Sequence, residues 1–251
     1  MQLVRIVLTG DDFMDQDILQ LKKWVAESDN VVFFGGAGVS TESGIPDFRS
    51  VDGLYNQQWK YPPETILSRS FFDRFPEEYY RFHRAKLVID NVKPNVAHVR
   101  LAQLEDEGKL KAVITQNIDG LHQAAGSQNV LELHGSILRA YCCKCRKAHP
   151  HERINYGDGI PRCDCGGIIR PDIVLYEEAL NDDVINRSVE LIHQADVLII
   201  GGTSLNVYPA AGLIRYYRGS KLVLVNLSET PYDRYANLVI NKKICEVFSQ
   251  I

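Results

Sequence analysis

The apolar positions of the chain follow two spacings, one typical of helices and one typical of buried strands. In the segment 15–28 the apolar residues recur at helical spacing: Ile18, Leu21 and Val25. The next run, Val31 to Phe34, is continuously apolar, as expected of a parallel strand that is buried on both faces. Because this run ends at Gly35-Gly36-Ala37-Gly38, we predict a helix, a central strand and then a glycine-rich turn.

Further apolar runs of the same kind follow along the chain. They are Ala112 to Thr115, Val130 to Leu133, Val197 to Ile200 and Leu222 to Val225. Helical patterns lie between several of them, with one apolar face at Ala97, Leu101 and Leu104 and another probable helix from Val184 to His193. Strands that alternate with helices predict an α/β fold, here a Rossmann-like parallel sheet with helices on both faces.

Two regions interrupt this alternation and predict a small second domain. Residues 51–91 are rich in aromatic and charged side chains and read as a helical insertion, and residues 139–167 carry paired cysteines and little apolar content. The Rossmann-like lobe then comprises residues 1–50, 92–138 and 168–251. Within it, residues 1–14 have no clear place and could be an edge strand, a tail or a cloning remnant.

Composition and charge narrow the functional classes. The chain has 251 residues, of which 45% are hydrophobic and 24% charged, as in ordinary soluble domains. Its net charge of -4 argues against nucleic acid as the main partner. No apolar run approaches the roughly 18 residues of a membrane span, and no secretion signal is recognisable at the N-terminus. We therefore expect a cytoplasmic monomer without a nucleic-acid or membrane partner.

The cysteine spacing predicts a metal site. Cys142 and Cys145 form a C-x-x-C pair, and Cys163 and Cys165 form a C-x-C pair. Disulfides are rare in the cytoplasm, and four thiolates in a closed tetrahedral site suit structural Zn²⁺. The alternative is a reduced loop without metal. Cys143 could replace Cys142 or Cys145 as a ligand, although the spacing favours those two.

The glycine-rich turn after the first strand has the form of a phosphate-binding loop. Gly36 and Gly38 permit a tight turn, and backbone N–H groups there can point at a bound anion. The alternative is a plain glycine turn, because Thr41 stands where the usual fingerprint has a third glycine. Gly44 and Pro46 disfavour a helix directly afterwards, which suggests a long loop whose Phe48 covers a ribose and whose Arg49 meets a phosphate.

Polar residues also follow the other predicted strands, where ligands bind in open parallel sheets. Gln116, Asn117 and Asp119 could read ribose hydroxyls and a carboxamide, or could form an ordinary Asn/Asp turn. His134 ends another buried strand and could be a general base or a structural histidine. We expect His98 and His122 to be structural and His149 and His151 to be exposed. Hydroxyls and an amide that suit adenosine and phosphates follow the two C-terminal strands: Thr203, Ser204, Asn226 and Ser228.

Several of these motifs together resemble the sirtuins, the NAD-dependent protein deacylases. The resemblance rests on residues 36–50 (GAGVSTESGIPDFRS), 115–122 (TQNIDGLH), His134-Gly135, the cysteine pairs and 202–205 (GTSL), and it extends from about residue 15 to the end. It implies NAD as co-substrate, one structural zinc, and acylated lysine on protein substrates as partner. The departure is the C-x-C pair, since sirtuins usually carry C-x-x-C twice.

The resemblance also assigns roles. The cofactor loop would comprise Gly36, Ala37, Gly38, Ser40, Thr41, Ile45, Pro46, Asp47, Phe48 and Arg49. Ile118 and Asp119 would form the nicotinamide pocket, and Gln116 and Asn117 would face the ribose. His134 would be the catalytic base, with Asn117 and Asp119 as the other catalytic residues. The adenosine half would lie on Gly202, Thr203, Ser204, Asn226 and Ser228, with Ile244 and Cys245 at the adenine.

The implied substrate groove lies between two further segments. Val174, Leu175 and Tyr176 correspond to the sirtuin segment that pairs with substrate peptide, although the same run could be a buried strand, and Val207 would line the opposite wall. Sirtuins that remove acidic acyl groups carry Tyr and Arg three residues apart in the helical insertion. Here Tyr80 is followed at that spacing by His83, with Arg84 next to it, so acetyl is the expected acyl group.

The implied reaction consumes NAD. The acyl oxygen attacks the ribose as nicotinamide leaves, His134 takes a proton from the ribose hydroxyls, and the products are O-acetyl-ADP-ribose and free lysine. Two alternatives use the same scaffold: an ADP-ribosyltransferase or NAD hydrolase, and a non-enzymatic zinc-ribbon protein that senses NAD. The presence of Asn117, Asp119 and His134 favours the deacetylase.

Overall fold

The computed structural model describes residues 15–47, 53 and 59–251, so Phe48, Arg49 and residues 1–14 lie outside it. Six strands form a parallel sheet in the order β3-β2-β1-β7-β8-β9. Their bounds are Val31–Gly35 (β1), Leu110–Thr115 (β2), Val130–Glu132 (β3), Val197–Gly201 (β7), Leu222–Val225 (β8) and Leu238–Ile240 (β9). The predicted parallel sheet is confirmed. The short strand β9 has no counterpart in the sequence reading, because three residues show no clear periodicity.

The helices that cover this sheet are α1 (Gln16–Ala26), α5 (Val96–Asp106), α6 (Leu121–Ala124), α8 (Asp182–Gln194) and α9 (Ile244–Phe248). The positions of α1, α5 and α8 agree with the predicted helices, whereas the short helices α6 and α9 were not predicted. Asp15, Asn95 and Asn181 cap the N-termini of α1, α5 and α8 with their side chains. None of the helices in the described part of the chain is both long and apolar enough to span a membrane.

Alternation along the central strand divides the core between the two faces of the sheet. Phe33 belongs to a buried cluster with Ile18, Leu101 and Val247 of α1, α5 and α9. The next residue, Phe34, belongs to a second cluster on the opposite face, together with Ile192 of α8. Successive strand residues point to opposite faces, so a wholly apolar strand requires this double covering.

A small lobe is built from two parts of the chain that are distant in sequence. Its antiparallel sheet has the order β5-β4-β6, with β4 at Gly135–Cys142, β5 at Ala148–His149 and β6 at Ile169–Ile173. Its helices are α2 (Pro63–Ile66), α3 (Arg69–Arg74), α4 (Pro76–Phe82) and α7 (Glu152–Asn155), and one π-helical turn spans His83–Leu87. The sheet therefore extends beyond residues 139–167 on both sides.

The helical insertion and the cysteine module share one hydrophobic core. Phe72, Tyr79 and Phe82 from the insertion lie in the same buried cluster as Ile137 and Ile169 from the sheet. This explains the low apolar content of the cysteine module, because the insertion supplies most of the apolar surface that covers it.

Three histidines are buried in the described structure. His83 hydrogen-bonds Asn155 in the small lobe, at 2.9 Å. His98 and His122 lie side by side between α5 and α6, with ring centroids 4.7 Å apart. The expectation that His98 and His122 are structural agrees with this placement. The expectation that His149 and His151 are exposed is wrong, since both are half-buried and His149 lies 3.4 Å from Arg153.

Burial gives these histidines a defined effect on stability. It lowers the pKa of His83 to about 4, against a smaller opposing effect from Asn155. Burial likewise lowers the pKa of His98 to about 4, opposed by Asp119, and that of His122 to about 3. Each ring is therefore neutral in the fold, while the unfolded chain binds protons near pH 6.5. Stability is complete above pH 6.5 and falls as the pH drops towards 4.

We predict that acidification from pH 7 to 5 lowers the free energy of unfolding, approaching about 1.4 kcal/mol per pH unit for each buried histidine. Urea unfolding of wild type, His83→Gln and His193→Gln at several pH values measures this. His83→Gln should flatten the dependence, and the exposed His193 serves as the matched control. Equal slopes for His83→Gln and wild type would contradict the assignment.

Candidate functional site

The candidate site lies at the carboxyl edge of the parallel sheet, where the strand order reverses. From β1 the chain adds β2 and β3 on one side, and later β7, β8 and β9 on the other. In the sheet register Gly35 stands beside both Thr115 and Gly201, so the ends of β1, β2 and β7 are level. A crevice at such a reversal is the usual ligand position of open α/β sheets.

Two glycine turns meet at this point with almost no space between them. The Gly36 N–H donates to the Gly201 carbonyl at 3.2 Å, and the Gly38 N–H donates to the Gly202 carbonyl at 2.8 Å. A Cβ on Gly36 would lie 2.7 Å from Cβ of Thr203, and a Cβ on Gly38 would lie 2.8 Å from Cα of Gly202. Side chains at these positions would push the turns apart.

These contacts show how the backbone of the loop is held. The N–H groups of Gly36 and Gly38 donate to the neighbouring turn, and those of Val39 and Ser40 donate to the carbonyls of Gly36 and Ala37. The expectation that backbone N–H groups of this turn bind an anion stays a prediction. The loop continues as two short 3-10 turns, Ala37–Val39 and Thr41–Ser43, and Gly44 adopts a left-handed conformation at φ 91°. Thr41 donates its hydroxyl to the Gly38 carbonyl at 3.0 Å.

A chain of polar side chains joins this loop to the loop after β2. The Asn117 amide donates to Oγ of Ser40 at 3.0 Å, and the Ser40 hydroxyl donates to Oδ2 of Asp119 at 2.7 Å. The other Asp119 oxygen accepts the backbone N–H of Leu121 at 2.9 Å. Three predicted site residues are thus brought together, and the Asp119 carboxylate is held from two directions.

The loop after β2, called the second loop below, is also joined to the turn after β7. The Gln116 amide donates to Oγ1 of Thr203 at 3.0 Å, and its backbone N–H donates to the Gly35 carbonyl. Oγ1 of Thr203 also accepts the N–H of Leu205 at 3.2 Å. The carbonyl of Ile118 accepts the N–H of Ile137, and the Ile118 side chain packs against the small-lobe core. The second loop therefore lies between the lobes.

His134 occupies the junction between the two sheets. The strand β3 ends at Glu132 and β4 begins at Gly135, so the expectation that His134 ends a strand is wrong by two residues. Gly135 has φ 75°, and a Cβ there would lie 2.0 Å from the Asp172 carbonyl oxygen. Only glycine permits β4 to approach β6 this closely, and the resulting sharp turn places His134 beside the second loop.

The hydrogen bonding of His134 defines its tautomer. Its Nδ1 lies 2.9 Å from the Gln116 carbonyl oxygen. A carbonyl oxygen can only accept, so Nδ1 carries the proton and Nε2 of the neutral ring keeps a lone pair. Burial lowers the pKa of His134, and the bond to Gln116 opposes that change. At neutral pH the ring is therefore a proton acceptor with a fixed orientation.

The predicted adenosine residues lie at the ends of β7, β8 and α9. The Asn226 amide donates to the carbonyls of Thr203 and Ser228, at 3.3 and 3.0 Å. The backbone N–H of Cys245 donates to the Glu42 carboxylate at 3.1 Å, whereas the Ile244 side chain is buried in the main core. Glu42, which the sequence reading did not single out, thus connects the cofactor loop to the predicted adenine end.

The predicted peptide segment is already hydrogen-bonded within the chain. The Val174 N–H donates to the His134 carbonyl at 3.0 Å, and the Leu175 N–H donates to Oε2 of Glu178 at 2.9 Å. Tyr176 donates its N–H to the Leu67 carbonyl and accepts the Arg69 N–H. The Leu175 side chain is buried in the small-lobe core. The N–H groups of these three residues are therefore not available to a peptide.

The four predicted zinc ligands form one cluster. The sulfur atoms of Cys142, Cys145, Cys163 and Cys165 all lie within 4.8 Å of one another. Cys142 and Cys165 are 3.5 Å apart, and Cys145 and Cys163 are 3.7 Å apart. Tetrahedral Zn–S bonds of about 2.3 Å require sulfur separations of roughly 3.8 Å, so the cluster fits zinc despite its C-x-C pair. Cys143 is outside the cluster.

The sequence reading also missed residues that support the site. The Asn95 amide, at the cap of α5, donates to the Val39 carbonyl at 2.7 Å and so fixes the cofactor loop to that helix. The buried Arg170 forms an ion pair with Glu178, whose side chain is 19% exposed and accepts the Leu175 N–H of the predicted peptide segment. No signal in the sequence pointed to Arg170, because its strand also carries an aspartate. The role of Asn95 likewise depends on a contact that spacing does not reveal.

Comparisons with known proteins cover nearly all of the chain. The Sir2 family model matches residues 36–209. An NAD-dependent protein deacetylase of Clostridium perfringens is 57% identical over 242 residues, which are 95% of this chain and 99% of the relative. One of Clostridium acetobutylicum is 57% identical over 238 residues, or 93% and 97% of the two chains. A Sir2 structure with deacetylated p53 peptide and 3'-O-acetyl ADP ribose is 42% identical, with a TM-score of 0.84 over 93% and 96% of the two chains.

We predict one zinc per chain, bound by the four clustered cysteines. Metal analysis of purified protein should give a ratio near one, and Cys163→Ser should lose most of the metal together with thermal stability, because zinc binding contributes directly to folding. Cys143→Ser is the matched control and should retain the metal. A metal-free wild type, or loss of zinc in Cys143→Ser, would refute the ligand set.

Proposed function

The chain belongs to the Sir2 family, and from this premise we propose that it is an NAD-dependent protein-lysine deacetylase. With uptake of one water molecule, it transfers the acetyl group of a lysine to the ADP-ribose part of NAD and so produces nicotinamide, O-acetyl-ADP-ribose and free lysine. The observation that carries the proposal is the oriented His134 ring at the same sheet edge as the Asn117–Ser40–Asp119 hydrogen-bond chain. A proton acceptor and a held carboxylate are what this transfer needs from the protein.

His134 acts as the general base. Its Nδ1–H is committed to the Gln116 carbonyl, so Nε2 takes the proton from a ribose hydroxyl of the substrate. Because the pKa of His134 is lowered, the ring is neutral at the pH of the cell and can accept a proton. The loop that carries Gln116 also carries Asn117 and Asp119, so one backbone segment orients both the base and the carboxylate.

Asp119 holds the leaving group. Ser40 and Leu121 each bind one of its oxygens, which leaves further lone pairs to accept the carboxamide N–H groups of nicotinamide. Ile118 covers the ring from the small-lobe side. Because Asn117 binds Ser40, a shift of the cofactor loop moves the carboxylate with it, and the two loops act as one unit.

The residues present fit NAD. When bound, NAD supplies the ADP-ribose that accepts the acetyl group and the nicotinamide that leaves. Gly36, Gly38 and Gly202 lack side chains and so allow the turns after β1 and β7 to meet at the crevice, beside the polar strand ends. Thr203, Ser204, Asn226 and Ser228 stand at the adjacent strand ends and bind the adenosine half. Ala37, Ile45, Pro46, Asp47, Phe48 and Arg49 complete the cofactor loop.

The hydrogen bonds of three side chains in the small lobe support acetyl as the acyl group. The Tyr80 hydroxyl donates to the Ile169 carbonyl at 2.6 Å, and His83 is bound to Asn155. Arg84 donates to the carbonyls of Ile154 and Gly159. Since all three side chains are engaged within the lobe, none of them pairs with a carboxylate on an acidic acyl chain.

The remaining expectations concern the surroundings of the enzyme. Zinc has a structural role, because a closed set of four thiolates has no open position for a substrate. The division into lobes at residues 51–91 and 139–167, the monomeric state, the cytoplasmic location and the absence of a nucleic-acid partner stay predictions.

We predict that the protein deacetylates an acetyl-lysine peptide only when NAD is present. Mass spectrometry of the peptide, with and without NAD, measures both the deacetylated product and O-acetyl-ADP-ribose. Nicotinamide release that is independent of the peptide would instead identify an NAD hydrolase, and no reaction under either condition would refute an enzymatic role. A succinylated twin peptide should react more slowly.

We predict that His134→Ala lowers kcat by at least about 100-fold, since general base catalysis typically contributes that much. Zinc content and the thermal midpoint should stay close to those of wild type. His193→Ala, on the exposed face of α8, is the matched control and should keep full activity. An active, folded His134→Ala variant would remove His134 from the role of base.

A further inference from the structure

We propose that the buried ion pair of Arg170 and Glu178 is a positioning device that holds residues 173–178 in place for the acetylated peptide. The proposal rests on the deacetylase function above, which places this segment beside the substrate. It concerns two residues that act through the backbone of the segment, and neither needs to touch the peptide.

The pair is unusually well connected for a charged pair inside a small lobe. Arg170 lies on β6 with only 2% of its surface exposed. Its Nη1 donates to Oε1 of Glu178 at 2.6 Å, and its Nη2 donates to Oε2 at 2.8 Å. The same Nη2 donates to the Ile173 carbonyl at 2.7 Å. Such a two-pronged geometry fixes both side chains in one orientation.

Glu178 transmits this orientation to the backbone of the segment. Its Oε2 accepts the Leu175 N–H at 2.9 Å, and its Oε1 accepts Nη1 of Arg69 at 3.2 Å. Burial would raise the pKa of Glu178, but the bonds from Arg170, Leu175 and Arg69 outweigh it and lower the pKa to about 2. The carboxylate is therefore charged at neutral pH, so the pair carries both of its charges there.

The segment is fixed at both ends as a result. At one end the Val174 N–H donates to the His134 carbonyl. At the other end Tyr176 pairs with the backbone of Leu67 and Arg69, and the Glu177 carboxylate accepts the N–H and hydroxyl of Ser70. The ion pair lies between these attachments and holds Ile173 and Leu175. The ion pair thus connects Arg69 of the helical insertion to the segment whose Val174 bonds the backbone of His134.

A buried ion pair is not in itself a strong source of stability, because desolvation of the two charges offsets their attraction. An apolar pair of similar size would fill the space between Phe72 and Tyr141, whose rings lie 5.4 and 5.9 Å from the Arg170 guanidinium. Apolar side chains would, however, leave the Ile173 carbonyl and the Leu175 N–H without these partners. The presence of a charged pair instead of an apolar one is therefore explained by its hydrogen bonds to the backbone of Ile173 and Leu175.

The test is a comparison of Michaelis constants in Arg170→Lys. Lysine keeps the charge but cannot occupy both Glu178 oxygens and the Ile173 carbonyl in the same planar geometry. We expect the KM for an acetyl-lysine peptide to rise about tenfold, the loss of roughly one charge-assisted hydrogen bond. The KM for NAD should stay within about twofold of wild type. Equal increases in both constants, or no increase in either, would overturn the proposal.

A control separates positioning from general destabilisation. Ile154→Ala removes buried volume from the same small-lobe core but removes no hydrogen-bonding side chain from Arg170, Glu178 or residues 173–178. At a matched decrease in thermal midpoint, this variant should keep its peptide KM. If Ile154→Ala raises the peptide KM as much as Arg170→Lys does, the effect is one of lobe stability and the proposal fails.

Two further measurements keep the proposal testable in other circumstances. If Arg170→Lys does not fold, Arg69→Met decides, because Arg69 is 45% exposed and its side chain donates to Glu178; an unchanged peptide KM there would contradict the proposal. Hydrogen exchange needs no activity. The Leu175 amide should exchange at least about tenfold faster in the variant than in wild type, while Ile199 in the central sheet is unchanged. An inactive wild type would count against the deacetylase function. The exchange rate of the Leu175 amide would still test whether the ion pair positions the segment.

Discussion

The site depends on the close approach of two backbone turns at the point where the sheet reverses its strand order. Gly36 and Gly38 after β1 donate to the carbonyls of Gly201 and Gly202 after β7, at distances that leave no room for a Cβ. This contact fixes the position of Ser40 within hydrogen-bond distance of Asn117 and Asp119. It likewise fixes the position of Thr203 within hydrogen-bond distance of Gln116. The polar side chains of three strand ends can then form one connected site.

The small lobe has a different organising constraint, because its two halves are separated in sequence by most of the β1–β3 unit. Apolar side chains from the helical insertion cover the cysteine sheet, and four thiolates close its far end. Backbone hydrogen bonds join the small lobe to the main lobe: the Ile137 N–H donates to the Ile118 carbonyl, and the Val174 N–H donates to the His134 carbonyl. The position of the small lobe therefore affects the positions of the second loop and of His134.

His134 shows how these two constraints act on one side chain. Gly135 permits the sharp turn from the parallel sheet into the antiparallel one, and the Gln116 carbonyl selects the tautomer. The backbone carbonyl of His134 meanwhile accepts the N–H of Val174. The loop after β2 therefore holds the ring of His134, and the segment after β6 holds its backbone.

Residue pattern alone determined the parallel α/β sheet, the helices and the cysteine ligands, because apolar runs of strand length, helical spacing and paired cysteines are local signals. The family resemblance then supplied the roles of His134, Asn117 and Asp119. The tertiary structure decided what local signals do not contain. The pattern did not reveal that the N–H groups of Gly36 and Gly38 bond the turn after β7. Nor did it reveal that the Leu175 N–H is bound by Glu178. Such partners lie far away in sequence or across a turn, so the hydrogen bonds that remain for a ligand can be identified only when the chain has folded.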